Sequence, residues 1–384
     1  MTSFSTLLIG DESLLVGCGD HLLEKGHGIA AVVTRDAGVR DWAEGKGIAV
    51  IEAMGDVADA VAPGSVDWLL SIANLRVIPQ AVLDLPAKGA VNFHDGPLPR
   101  YAGLNTPVWA ILNGEAEHGI TWHMIEGGID EGDILEQRMV PIAEDDTAFS
   151  LNSKCYAAAM DSFPALLAQL ESRDLQRQAQ DLLQRSYFGL DHRPAAGAHL
   201  DFSKPAADLA RMVRALDFGG YRNPVATPKV TLAQQLLSVG AAEAESTVST
   251  AEPGTVLEVM SDRLRVATGA GVVVLRDLRT TKGQAIDPAR LVNAGDVLQM
   301  PDAAGFDAAA KRAAEAEAGW ITALTAMQAA DLPLAQSSDD GADWQSVEMP
   351  AVAGLDEAGI AAAALAWCRM SCGDRAAMLA YTDA

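Results

Sequence analysis

The sequence predicts an α/β protein: a doubly wound sheet, then a small β-barrel domain, then a helical C-terminal tail. Three observations predict it. From Thr6 onward short apolar runs alternate with helical patterns across short loops, the order that lays down a parallel sheet. Between Lys229 and Leu275 the texture changes to short strands separated by glycines, and from Phe306 it becomes Ala-rich and helical.

The elements follow in order. Thr6 to Ile9 reads as the first strand, and Leu14, Leu15, Leu22 and Leu23 mark the helix after it. The turn between them, Gly10-Asp11-Glu12-Ser13, has no Gly-x-Gly-x-x-Gly, and its two acids would repel a pyrophosphate, which argues against a nicotinamide dinucleotide. Ile29 to Thr34 is the second strand, Val39 to Lys46 a helix, and Ile48 to Ile51 and Val66 to Ile72 further strands. Asn74 to Pro79 is a loop leading into a helix at Gln80. Gly89 to His94 is another strand, broken by Asp95-Gly96-Pro97-Leu98-Pro99, residues that cannot continue a ladder. A helix from Pro107 to Asn113 and a strand from Gly119 to Ile125 lead to a tight loop, Gly127-Gly128-Ile129-Asp130-Glu131-Gly132-Asp133. Thr147 to about Arg173 is one long helical stretch containing Pro164, and it closes a first domain of residues 1–175. Residues 176–200 read as a linker or a loosely packed arm, residues 201–300 as the small β domain opened by the helix Ala206 to Leu216, and residues 301–384 as a helical segment, a linker at Leu332 to Gly341 and a further helix.

The chemistry centres on the stretch from Asn92 to Asp133. Asn92 and His94 are two apart on a strand, so both leave one face while Phe93 points into the core. The strand's C-terminal end is where open α/β sheets bind ligands. An amide and a protonated imidazole can donate to the oxyanion formed when an acyl group passes to an amine. A carboxylate such as Asp130 can hold the imidazole charged and help move the amine's proton. The same residues could equally be a strand end satisfied by its turn, with Asp130 an ordinary loop acid. His118 and His123 lack partners at metal-ligand spacing and read as structural, and Trp109 and Trp122 as core.

Asn92-x-His94, the following Leu98-Pro99-x-Tyr101-x-Gly103, Asn113-Gly-Glu with Gly119-Ile-Thr, and Gly128-x-Asp130-x-Gly132-Asp133 together resemble the 10-formyltetrahydrofolate-dependent formyltransferase family. That resemblance implies a Rossmann-like catalytic domain, an OB-like C-terminal domain and 10-formyltetrahydrofolate as formyl donor. It implies catalytic roles for Asn92, His94 and Asp130. It also implies folate contacts at Leu75, Val77, Gly96, Pro97, Leu98, Gly127, Gly128, Ile129 and Asp133, with Leu75 and Val77 in the segment that meets the pterin. The family often carries Ser-Leu-Leu-Pro where this chain reads Gly96-Pro97-Leu98-Pro99, a hydroxyl lost and a ring gained beside the folate. His94 to Asn105 is also similar to the formyltransferase domains that open nonribosomal peptide synthetases, and the tail resembles the entrance to a further synthetase domain.

Composition narrows the acceptor. The chain carries 28 Lys and Arg against 52 Asp and Glu, a net charge of −24. A nucleic-acid reader neutralises phosphates with clustered basic residues, so a tRNA acceptor is disfavoured. A small-molecule amine or an aminoacyl amine on a carrier protein is expected, and carrier domains are themselves often acidic. A hydrolase passing the formyl group to water, or an idle folate-binding module, are the rival readings. No uncharged apolar run reaches about 18 residues. The N-terminus has no basic region before its first apolar run, so no membrane span and a cytoplasmic location are expected. Cys18, Cys155, Cys368 and Cys372 are few and scattered, and Cys368-x-x-x-Cys372 has no second pair, so packing roles and no metal are expected.

Overall fold

The computed structural model describes residues 3–172, 174–300 and 302–325. The expected linker and helix beyond Leu332, with Cys368 and Cys372, lie outside the described residues. By contact the chain divides into residues 1–312 and 313–384; of the second unit the described part is the end of one helix.

The first sheet holds seven strands: β1 (Ser5–Ile9), β2 (Gly28–Val33), β3 (Ala49–Ile51), β4 (Trp68–Ser71), β5 (Gly89–His94), then β7 (Glu117–Met124) and β8 (Ile134–Pro141). The two-residue strand β6 (Ala102–Gly103) lies outside this sheet. The order is β3-β2-β1-β4-β5-β7-β8. The first five strands are parallel as the sequence predicts, but β7 runs antiparallel to β5 and β8 antiparallel to β7. Periodicity marks strands and not their direction, so this edge was not legible beforehand.

Helices cover both faces: α1 (Ser13–Glu24), α2 (Ala37–Gly45), the short α3 (Val57–Ala60) and α4 (Gln80–Leu83), α5 (Thr106–Leu112) and α6 (Ala148–Ser172), which runs unbroken through Pro164. The alternation within each strand sorts the core into two layers. Leu8, Leu70, Val91, Phe93 and Trp122 pack with Leu15, Leu22, Phe163 and Leu166 of α1 and α6. Leu7, Ile9, Leu69 and Ala90, one residue out of phase, pack on the opposite face with Val57 of α3 and Val82 of α4. Each such side chain contributes about 1.5–3 kcal/mol by leaving water, which fixes the register. Where the chain order reverses, between β1 and β4, a Cβ at Gly10 would lie 1.9 Å from the Ile72 carbonyl oxygen, so this glycine serves a close backbone approach.

The sequence leaves residues 176–200 as a linker or a loosely packed arm. The structure instead uses this stretch as a strap over the first domain. Strand β9 (Tyr187–Phe188) pairs with β6, and Phe188 stacks between the rings of Tyr101 and Trp109 at 5.5 and 5.0 Å. Polar composition concealed it, because the strap is held largely by hydrogen bonds to loops remote in sequence.

The second sheet, order β10-β11-β14-β13-β12, is antiparallel. It comprises β10 (Lys229–Leu232), β11 (Gln235–Glu245), β12 (Val256–Val259), β13 (Arg263–Ala267) and β14 (Val272–Thr280). Helix α7 (Ala206–Ala215) lays Leu209 and Val213 on it. The edge strands β10 and β12 do not pair with each other among the described residues, so the sheet is a half-barrel. Strand β11, eleven residues long, escaped the sequence because its Ala- and Glu-rich half has weak β preference; pairing with β14 from Leu237–Thr280 to Glu245–Val272 holds it. Helix α8 (Ala303–Thr325) follows, as the Ala-rich pattern predicts. No helix among the described residues is long and apolar enough to cross a membrane.

Candidate active site

The antiparallel step between β5 and β7 builds the site. Its register sets Asn92 opposite His123 and His94 opposite Thr121, so four polar side chains share one face of two strands. Phe93, between the first two, turns away to meet Trp122 with ring centroids 5.2 Å apart. The predicted alternation is therefore present.

Each side chain is fixed by a partner of known polarity. The His94 Nε2 lies 2.7 Å from the Tyr101 carbonyl oxygen, which can only accept, so the hydrogen sits on Nε2. Nδ1 is then the ring atom left to the site. The His123 Nδ1 likewise donates to the Met124 carbonyl at 2.8 Å, and its Nε2 lies 3.2 Å from the Asn92 amide nitrogen.

Asp130 arrives from the glycine loop across this face. Its Oδ2 accepts the Gly103 N–H at 2.8 Å and lies 3.7 Å from His94 Nδ1, while Oδ1 lies 3.5 Å from His123 Nε2. Burial pushes this carboxyl up, but the His94 and His123 rings and the Gly103 N–H together outweigh burial and hold it well below the usual carboxylate range. Asp130 is therefore an anion throughout the working pH range. Its backbone occupies the left-handed region, φ 56°, an uncommon conformation for a non-glycine residue that Asp tolerates better than most.

The strap supports that loop. The Gln180 side-chain amide donates to the carbonyls of Asp130 and Gly132 at 3.0 and 2.6 Å, Arg185 donates to the Ile129 carbonyl at 2.9 Å, and Arg177 pairs with both Asp133 and Glu126. Nothing in the local sequence pairs residue 180 with residue 130, so only the fold reveals these contacts.

On the other side, the Thr121 hydroxyl donates to the Gly96 carbonyl and accepts the Leu98 N–H, and Gln137 donates to the Leu98 carbonyl. A Cβ at Gly96 would lie 2.4 Å from the Tyr101 carbonyl oxygen and 2.6 Å from His94 Nε2, splitting the bond that orients the imidazole. Gly96→Ala is therefore expected to lower kcat about 10²-fold, since misplacing a reacting group by about 1 Å costs that much. Steady-state kinetics check this, and kcat within threefold of wild type would sink it.

The residues predicted for the folate fall into two groups. Leu75 and Val77, on the loop after β4, are 80% and 79% exposed, and Ile129 is 53% exposed, so two loops present bare apolar side chains that a planar ring could cover. Gly127 and Gly128 are exposed beside Ile129, and Gly96 and Pro97 border His94. Leu98 instead buries its side chain with Ala102 and Ile134, with both its backbone groups engaged, and Asp133 is paired with Arg177. The exposed apolar side chains fit a planar ring, whereas the Gly128 N–H and carbonyl are both bonded to Glu131 and the Gly96 carbonyl to Thr121 and the Leu98 N–H.

The sequence missed His123, Asp95 and His118 as members of the site. His123 was read as structural because strand direction and register, not spacing, set it against Asn92. The His118 Nε2 donates to the Asp95 carbonyl at 2.7 Å, and the Thr106 hydroxyl donates to the same oxygen. Trp109 and Trp122 lie in the core as expected. No group of three or more His, Cys, Asp or Glu among the described residues is arranged to hold a metal ion.

Residues 22–167 match the family described as formyl transferase, and residues 195–295 match the formyl transferase C-terminal domain. A methionyl-tRNA formyltransferase of Hahella chejuensis is 33% identical over 226 residues, 58% of this chain and 68% of the relative. Among solved structures, WlaRD, a sugar 3N-formyl transferase determined with dTDP and 5-N-formyl-THF, gives a TM-score of 0.55 at 19% identity, covering 72% of this chain and 98% of that one. HypX from Aquifex aeolicus in complex with tetrahydrofolic acid gives 0.53 at 18% identity, covering 75% of this chain and 47% of that one. At these identities the two structures speak for the fold alone.

Proposed function

This chain belongs to the formyl transferase family, an enzyme family that draws its one-carbon unit from 10-formyltetrahydrofolate, and we propose that it N-formylates a small-molecule or carrier-bound aminoacyl amine. The observation that supports this most is the convergence of Asn92, His94 and Asp130 on one strand face, with His94 Nδ1 3.7 Å from an ionised carboxylate. Bound there, the donor supplies an electrophilic formyl carbon and a nitrogen leaving group.

The residues then divide the work. The Asn92 amide, beside His123 Nε2 at 3.2 Å, can donate to the oxygen on which negative charge develops. His94 Nδ1–H, held against Asp130, is the second donor to that charge. Leu75, Val77 and Ile129 cover the pterin, and the backbone near Gly96 and Gly127 meets its polar edge.

Charge argues for the acceptor class. The arginines of the second sheet are committed to acids: Arg265 to Glu245 and Glu258, Arg263 to Glu258, Arg276 to Glu243 and Asp262, Arg279 to Asp277. A face whose cations are already paired releases few counterions on a phosphate backbone, so tRNA is a poor match. The named relative is the one observation that favours a tRNA acceptor. Resemblance to the formyltransferase domains that open peptide synthetases favours an aminoacyl amine instead.

The test is incubation with 10-formyltetrahydrofolate and a panel of amino esters, aminoacyl N-acetylcysteamine thioesters, amino sugars and methionyl-tRNA. Tetrahydrofolate release is followed with and without acceptor. Release with a thioester or ester is the expected result. Preference for methionyl-tRNA would overturn the acceptor assignment, and equal release without any amine would favour the hydrolase.

A further inference from the structure

Two carboxylates, not one, flank the same nitrogen of His94. Nδ1 lies 3.7 Å from Asp130 Oδ2 and 3.9 Å from Asp95 Oδ1. The two acids differ in every other respect. Asp130 is 10% exposed and tied to the Gly103 N–H, with His123 beside it. Asp95 is 28% exposed, and its position is set through its main chain, where the carbonyl takes hydrogens from both His118 and Thr106. Asp95 is thus firmly placed, with a side chain that keeps a partly exposed edge although protein surrounds its carboxyl.

We propose that Asp95, and not Asp130, receives the proton that the acceptor amine gives up. This rests on the reading of the chain as an amine N-formyltransferase and refines it. As the new N–C bond forms, an N–H bond of the amine breaks and its proton passes to the Asp95 carboxylate. Asp95 then hands that proton to the nitrogen that departs with the electron pair of the old C–N bond, so the site ends in its starting state. Asp130 remains an anion throughout and serves as the counter-charge of His94.

The environments assign the roles. A base must have proton affinity, and Asp130 has little, for the reasons given above. Burial pushes the Asp95 carboxyl up, the attraction of His94 opposes this, and the neighbouring Asp130 charge adds to the rise. Two carboxyls driven apart in this way are a standard means of dividing acid and base duties. The groups facing Asp95 from the surrounding elements are His94 of β5, Asp130 of the loop, Thr106 of α5, His118 of β7, and Cys155 and Tyr156 of α6. Of these only Asp130 is a second carboxylate.

The experiment uses the full chain and the amine of the panel that the wild type turns over fastest. Asp95→Asn is expected to lower kcat about 10²-fold with KM changed by less than about threefold, and to abolish the acid limb of the kcat profile. Relieved of the repulsion between its carboxylate and that of Asp130, it should also melt no lower than wild type. Asp95→Ala should regain at least tenfold in rate in sodium acetate, with the gain following the carboxylate form of the additive. Retention of more than a third of wild-type kcat in Asp95→Asn would overturn the assignment. So would a loss that acetate leaves untouched, or one accompanied by a lower melting temperature. Wild-type release of tetrahydrofolate with an amine tests the parent reading, and the ratio of variant to wild type tests Asp95, so the two fail separately.

Discussion

Asp130→Asn is expected to lower kcat by about 10³-fold or more while the protein stays folded. Asparagine keeps the shape and an oxygen to accept the Gly103 N–H at 2.8 Å, but it removes the charge that faces His94 Nδ1 and His123 Nε2 at 3.7 and 3.5 Å. Without that charge the Asp130 side chain no longer holds the His94 donor toward the oxyanion that the proposed reaction develops. His94→Ala removes the same donor from the other side. Because the two residues act as a unit, the double variant should be little worse than either single one. Steady-state kcat/KM for both singles and the double measures this directly. Fully additive losses would show that Asp130 and His94 act independently, contrary to the pairing in the structure.

Acid should weaken the fold through His118. This residue is completely buried in β7, and burial pushes its imidazole down to about 4, against the bond to the Asp95 carbonyl, which favours the charged form. The sign follows from proton counting. Below pH 6.5 an unfolded His118 binds a proton while the folded one stays neutral until about pH 4, so the unfolded state is favoured progressively as pH falls through that window. The shift corresponds to about 3 kcal/mol, a large part of the stability of an ordinary domain. Urea unfolding of wild type and His118→Gln between pH 7 and pH 4.5 isolates the contribution, because His199, also pushed down by burial, is common to both. The wild type should lose stability faster, most of the difference appearing below pH 6. Parallel curves would show that His118 does not carry the effect. The same bond positions Asp95, so the residue links the acid sensitivity of the fold to the geometry of the site.

Sequence reading located much of this site but not its wiring. Asn92 and His94 were legible because a strand alternates with period two, which puts residues two apart on one face and sends Phe93 to the other. Asp130 was legible because glycines on both sides announce a tight loop. His123 was not, although it contacts both Asn92 and Asp130, because its place depends on β7 running antiparallel to β5 in one particular register. The contacts of the strap were not legible for a similar reason. Its polar residues look solvated until Gln180 and Arg185 are seen to hold the carbonyls of Asp130, Gly132 and Ile129.

By itself, then, the sequence determined what short-range physics governs: the parallel strands of the first sheet and most of the helices, where the chain must turn, and which residue types reach the end of β5. The tertiary structure alone decided which of two carboxylates beside His94 is the tied anion and which is pushed up by burial. That difference between Asp95 and Asp130 arises from burial and from hydrogen-bond partners brought from β6, β7 and α5, and no property of either residue or its neighbours in the chain encodes it.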